Sequence, residues 1–132
     1  MSPNTVKKYP FTCATTLVVC ILSLAPIGAP EIAGDVPFFD KWAHCVMYGS
    51  LTCVVWFDMR LRPVTMPRAI LCGCLYPILL GGLMEVCQAY LTTYRSGEWL
   101  DFAANSLGVA IGLVVGATMR WAYRKKILGR QS

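Results

Sequence analysis

Four apolar runs, each close to the length that crosses a lipid bilayer, decide what this chain can fold into. They read roughly Phe11 to Ile27, Phe38 to Phe57, Ala69 to Leu91 and Phe102 to Tyr123. A transmembrane helix needs about 20 predominantly apolar residues to cross a hydrocarbon core ~30 Å thick. A chain of 132 residues has room for four such spans joined by short loops.

A soluble helical core is the competing reading. It requires a polar face on each helix, yet stretches such as Leu107 to Thr118 carry no charge on any face. Composition points the same way: 56% of the residues are hydrophobic and 14% charged, where soluble domains carry about a quarter charged residues. The expected architecture is therefore all-α, a four-helix transmembrane bundle forming a single domain over 1–132, with spans at about 10–27, 38–57, 69–91 and 102–123. Pro77 falls inside the third run but does not break it, because helices in lipid tolerate proline when neighbours satisfy the freed carbonyls. The first run follows Lys7 and Lys8 and so has the outline of a secretory signal. Ile27 and Pro30 around Ala29 make a poor cleavage site, and more apolar runs follow, so a retained helix is expected.

The net charge of +5 raises nucleic acid as a partner. The positions of the charges answer it. Lys7, Lys8, Arg60, Arg62, Arg68, Arg120, Arg124, Lys125, Lys126 and Arg130 fall at one end of the four runs, and only Lys41 and Arg95 at the other. Such asymmetry orients membrane proteins with the basic side in the cytoplasm, which puts both termini there. No nucleic-acid partner is needed to explain the surplus. The sparse side also holds Glu31, Asp35, Asp40, Glu98 and Asp101.

Seven cysteines lie inside the apolar runs, at 13, 20, 45, 53, 72, 74 and 87. An odd count so placed is no disulfide framework, and Cys72-Gly-Cys74 is too short and isolated for a zinc site. No metal and no cofactor is expected.

The informative residues are polar ones inside apolar runs. An ionisable group at mid-membrane costs roughly 2.5–3.5 kcal/mol on insertion scales and usually faces a protein interior or cavity. Asp40, Lys41, His44 and Tyr48 open the second run, Glu85 and Gln88 sit in the third, and Asp101 and Asn105 open the fourth. Asp40, His44 and Tyr48 recur every four residues and share one helical face, as do Asp101 and Asn105. At ~1.5 Å per residue, His44 and Asn105 lie about 6 Å, and Glu85 about 9 Å, in from the extracytoplasmic ends of their helices. Agreement in face and depth predicts one polar cluster in the outer third of the membrane, with Arg95 on the loop above it. Gly108, Gly112 and Gly116 continue the Asn105 face and permit close helix packing. That seam turns the polar residues inward.

Structural roles compete for each residue. His44 suits a helix-packing hydrogen bond, and Glu85 a buried ion pair with Arg95 or Lys41. Asp101 precedes an apolar run and is expected to cap its free amides. Gln88 and Asn105 suit interhelical hydrogen bonds, Tyr48 plain packing, and Arg95 a solvated loop. Trp42, Trp99 and Trp121 read as interfacial anchors.

At these residues the chain resembles the VanZ-like family of bacterial membrane proteins. Three blocks carry the likeness: Asp40-Lys41-Trp42-Ala43-His44 with Tyr48; Gly82-Leu83-Met84-Glu85-Val86-Cys87-Gln88; and Arg95 followed by Asp101-Phe102-Ala103-Ala104-Asn105-Ser106-Leu107-Gly108 and Gly112. They span about 38–116. The resemblance implies a multi-pass protein of the bacterial cytoplasmic membrane with a role at the cell envelope, since the family is named for a teicoplanin-resistance protein; it supplies no established reaction.

Four functions follow as expectations. The first is a membrane-embedded binding module whose outer cluster engages a lipid head group, a lipid-linked precursor or an amphiphilic antibiotic. The second is an intramembrane enzyme using His44 and Glu85 as an acid–base pair, for which no nucleophile motif is evident around Ser106 or Cys87. A proton-coupled transporter needs polar groups toward the cytoplasm, where Ser50, Thr52 and Thr118 are the candidates. A structural subunit would use the glycine seam to join a second copy or another membrane protein.

Overall fold

The computed structural model describes residues 3–25, 37–60, 62–93 and 97–129. All regular structure among them is helical: α1 (Pro3–Lys8), α2 (Pro10–Leu24), α3 (Phe39–Met59), α4 (Met66–Ile70), a π-helical turn (Leu71–Leu75), α5 (Tyr76–Leu91) and α6 (Trp99–Leu128). The all-α expectation holds, with shifted ends. The first span was expected over 10–27. Its apolar helix closes at Leu24, and hydrogen bonds at Tyr9 and Cys13 connect it to α1. The third starts earlier than Ala69, as α4, the π turn and α5 form one rod from Met66 to Leu91. The fourth is longest, because Arg124, Lys125 and Lys126 continue the helix past the apolar run and stabilise the negative end of its dipole.

The π turn sits just ahead of Pro77. Proline has no N–H to give the carbonyl four residues back, here Gly73, and the widened turn carries the helix past that gap. Gly73 matters for a second reason: the Trp56 indole occupies the space its Cβ would fill.

Helix direction alternates. α3 and α6 run side by side in the same sense, with Gly108 against the Cys45 carbonyl, Gly112 against Gly49 and Gly116 against Trp56. A Cβ on Gly112 would come within 2.5 Å of the Gly49 carbonyl oxygen, and one on Gly116 within 2.6 Å of the Trp56 side chain. The glycine seam is thus an internal joint between two backbones of this chain. α2 and α5 run the opposite way. Asp58, on the last turn of α3, accepts from the Thr12 N–H and hydroxyl at 2.8 Å each. The Thr16 and Tyr76 hydroxyls meet at 2.6 Å, and Gln88 Nε2 donates to the Ser23 carbonyl at 2.9 Å. Tyr48, Leu51, Val55, Trp56 and Val109 form the apolar centre between these helices.

Among the described residues, two helices are long and apolar enough to cross a membrane, Met66–Leu91 and Trp99–Ile127, and only 22% and 28% of their apolar windows are buried. Leu79, Leu83 and Val86 on α5, and Leu107, Ile111 and Val114 on α6, stand on the outside.

Candidate functional site

The site forms where α3 and α6 begin and α5 ends. Its centre is a buried chain of three side chains. Asn105 Nδ2 donates to Glu85 Oε1 at 3.1 Å, and Asn105 Oδ1 lies 3.0 Å from His44 Nδ1. With the amide turned so that its NH2 meets the carboxylate, its carbonyl accepts from His44. His44 Nδ1 is itself 3.9 Å from Glu85 Oε1, so the amide bridges an imidazole and a carboxylate that sit side by side. The other ring nitrogen, Nε2, faces Asp101 Oδ2 at 3.7 Å.

Above this chain lies a second, wetter layer. Lys41 Nζ reaches Asp40 Oδ2 at 2.5 Å, Glu98 Oε2 at 2.8 Å and Asp101 Oδ1 at 2.8 Å. Asp101 links the layers, since it meets Lys41 with one oxygen and faces His44 with the other. Glycines make the close approaches possible. A Cβ on Gly97 would fall 2.5 Å from the Glu85 carbonyl oxygen. Because Gly97 lies flat on α5, the Glu98 N–H reaches Glu85 Oε2 at 3.2 Å. A Cβ on Gly81 would lie 3.3 Å from both Asn105 Nδ2 and the Tyr48 ring.

Of the residues singled out in the sequence, Asp40, Lys41, His44, Glu85, Asp101 and Asn105 come together. Gln88 does not join them: it reaches across to α2. Tyr48 packs beneath the cluster, fully buried, with its hydroxyl beside Ser23. Arg95 lies outside the described residues. One expectation is corrected and another narrowed. Asp101 makes no capping bond; it lies in the first turn of α6 behind Glu98 at the cap position, and Lys41 takes its carboxylate instead. Of the two partners expected for Glu85, Lys41 is taken by three other carboxylates and Arg95 lies outside the described residues; among the described residues, an amide and a backbone N–H hold Glu85. Glu98 was missed as a site residue because its contribution comes partly from its backbone, which side-chain spacing does not reveal. Trp42, Trp99 and Trp121 are exposed, while Trp56 is buried.

The cluster is acidic. Among the described residues, Asp40, Glu85, Glu98 and Asp101 face one ammonium, Lys41, and one imidazole. His44, Glu85 and Asp101 each offer a ligand atom within 4.8 Å of the others, a set suited to a divalent cation once the Lys41 ammonium moves off Asp101. Ser106 donates its hydroxyl to the Phe102 carbonyl at 2.9 Å, and Cys87, two residues from Glu85, projects from a different face of α5. Neither is placed as a nucleophile for the His44–Glu85 pair. Thr52 and Thr118 bond carbonyls of their own helices, so they extend no polar path from the cluster.

Beside the cluster runs an apolar groove of about 710 Å³ between α5 and the start of α6. Leu79, Leu83, Val86, Tyr90 and Trp99 are among its apolar lining residues, and Glu85 and Glu98 also line it.

Fold and site thus define an all-helical chain with two helices able to cross a membrane and an acidic, hydrogen-bonded cluster at one end of its packed helices. The chain is similar to the uncharacterized protein C11E3.10 of the fission yeast Schizosaccharomyces pombe, 33% identical over 105 residues that cover 77% of this chain and 60% of that protein. It therefore spans less than two thirds of that relative's length. No protein-family model and no solved structure matches the chain.

Proposed function

We propose that this is a multi-pass membrane protein that binds the polar head of an amphiphile at the Glu85 cluster and its tail in the adjoining groove. The observation that carries this reading is the groove itself: a mainly apolar cleft between α5 and α6 whose lining includes Glu85 and Glu98. The shape suits a molecule with a polar end and a hydrocarbon end, such as an envelope lipid, a lipid-linked precursor or an amphiphilic antibiotic. The charge balance of the described residues favours a head group bearing an ammonium. Glu85 and Glu98 accept from it, Asp101 and Lys41 set the local field, and His44 and Asn105 fix the carboxylate's orientation.

The same proposal includes four spans with both termini in the cytoplasm. The alternating helix directions support it, as does the gathering of Arg60, Arg62, Arg120, Arg124 and Lys125 at the end away from the cluster. The exposed apolar faces of α2, α5 and α6 suit contact with lipid, since soluble surfaces rarely carry apolar patches of that extent. A VanZ-like identity, an antibiotic-resistance role and a bacterial inner membrane rest on the three sequence blocks alone; the fission-yeast relative is eukaryotic and lends them no support.

The test is binding of dodecylamine and of dioctanoyl phosphatidylethanolamine to the full chain in neutral micelles, followed by tryptophan fluorescence. Glu85→Gln removes a charge-assisted bond worth about 1.5–3 kcal/mol, so affinity should fall roughly 10- to 100-fold while the fold persists. Equal binding by wild type, Glu85→Gln and His44→Ala would sink the idea. The bridged His44–Glu85 pair also favours a second reading, acid–base catalysis within the membrane; turnover of labelled envelope lipids by the purified chain, lost in both variants, would establish it.

A further inference from the structure

The opposite end of the helices holds a feature that the acidic cluster does not explain. Arg120, on α6, is 2% exposed. One of its nitrogens, Nη2, donates to the Val64 carbonyl at 2.7 Å. Its Nε and Nη1 are buried and have no hydrogen-bond partner. Every ion pair among the described residues involves Lys41 or His44, so no described carboxylate neutralises this guanidinium. The one carboxylate at this end of α3, Asp58, is engaged by Thr12.

A buried charge without a counter-charge is costly, and here the charges add up. Arg60 and Arg120 line the same cavity of about 300 Å³. Arg60 is held in place by its bond to the Phe57 carbonyl at 2.7 Å and by the Phe57 ring, 3.4 Å from its guanidinium carbon. Arg124 lines a second cavity on the other side of Arg120. Trp56, Met119 and Tyr123 supply apolar walls to the first, and Gly116 leaves room for the Trp56 ring that floors it. The guanidinium is a fork of donors matched to two oxygens of an oxyanion.

We propose that this cavity is an anion site for a phosphate group, held by the Arg60 guanidinium and by the uncompensated charge of Arg120, whose Nε and Nη1 lie closed off behind the cavity wall. It is distinct from the amphiphile cluster. Arg120 is 19 residues beyond Asp101 on one helix, about 28 Å along the axis, and the two sites are opposite in charge. The phosphate comes either from a lipid of the leaflet at this end, with its chains against the apolar walls, or from solution.

The test titrates the full chain in neutral micelles with three probes: inorganic phosphate, dioctanoyl phosphatidic acid and dioctanoyl phosphatidylcholine, read by isothermal calorimetry. The expected result is saturable binding of phosphatidic acid, weakened at least tenfold by Arg120→Gln and by Arg60→Gln and unchanged by Glu85→Gln. Competition by inorganic phosphate assigns the site to free phosphate as well; binding of phosphatidic acid without such competition assigns it to lipid. Arg60 is only half-buried, so Arg60→Gln decides the matter if Arg120→Gln does not fold. The proposal is overturned if neither phosphate nor phosphatidic acid binds, if both arginine variants bind as wild type does, or if phosphatidylcholine binds as tightly as phosphatidic acid.

Discussion

At the scale of single residues, Asn105 has the most to explain. It is buried to 1% exposure and satisfies two unlike partners at once, donating to Glu85 and accepting from His44. Replacing it with leucine removes both bonds. A buried hydrogen bond is worth about 0.5–1.5 kcal/mol net, so Asn105→Leu should destabilise the protein by roughly 1–3 kcal/mol, measured by unfolding in mixed micelles. Asn105→Asp should cost more, because it sets a second carboxylate beside Glu85. Retained wild-type stability in both would show that the bridge is incidental. Asp58 invites a similar argument. Its carboxylate meets the Thr12 N–H in the first turn of α2, where helix amides are otherwise free. Asp58→Ala should therefore cost about 1–3 kcal/mol and loosen α2 selectively, which amide exchange would detect; uniform exchange along the chain would contradict it. Asn105 was legible in the sequence from its spacing to Asp101. The role of Asp58 was not, because it falls just past the second apolar run and its partner is 46 residues away.

At the scale of helices, the joint between α3 and α6 depends on what its glycines lack. Adding a methyl at Gly108 or Gly112 drives it into a backbone carbonyl, and backbone gives way less readily than a side chain. Gly108→Ala and Gly112→Ala should each destabilise by about 1–3 kcal/mol or more. Gly82 is the control: a Cβ there meets only Phe102, at 3.5 Å. Gly82→Ala should be neutral or gain up to about 1 kcal/mol from helix propensity. Equal effects at all three positions, in thermal melts of the purified protein, would remove the seam from the account. The three-glycine pattern announced a close contact in the sequence. Its partner was hidden, since Cys45, Gly49 and Trp56 form no matching motif.

At the scale of the whole molecule, charge is sorted by end. The acidic cluster lies at one end of the helices, and arginines that no described carboxylate neutralises lie at the other. If the chain spans four times, a reporter fused after residue 132 should be read in the cytoplasm, and one inserted in the loop after Leu91 outside it. An extracytoplasmic C-terminus would invert the topology and move the Glu85 cluster to the inner leaflet. The sorting was visible in the counts of lysine and arginine. That Arg120 is buried rather than snorkelling to solvent was not, because its neighbours at the cavity come from α3 as well as α6.

The sequence by itself determined the helical class, the approximate extent of each apolar helix and most members of the polar cluster, because hydrophobic run length and i, i+4 spacing are local quantities. The tertiary structure decided who pairs with whom. It took Asp101 from an expected cap to a partner of Lys41, removed Gln88 to α2, brought in Glu98 through its backbone, and left Arg120 without a counter-charge among the described residues. Each of these depends on how helices distant in sequence are rotated and shifted against one another. Glycines with no side chain to clash set that arrangement, and no spacing within one segment encodes it.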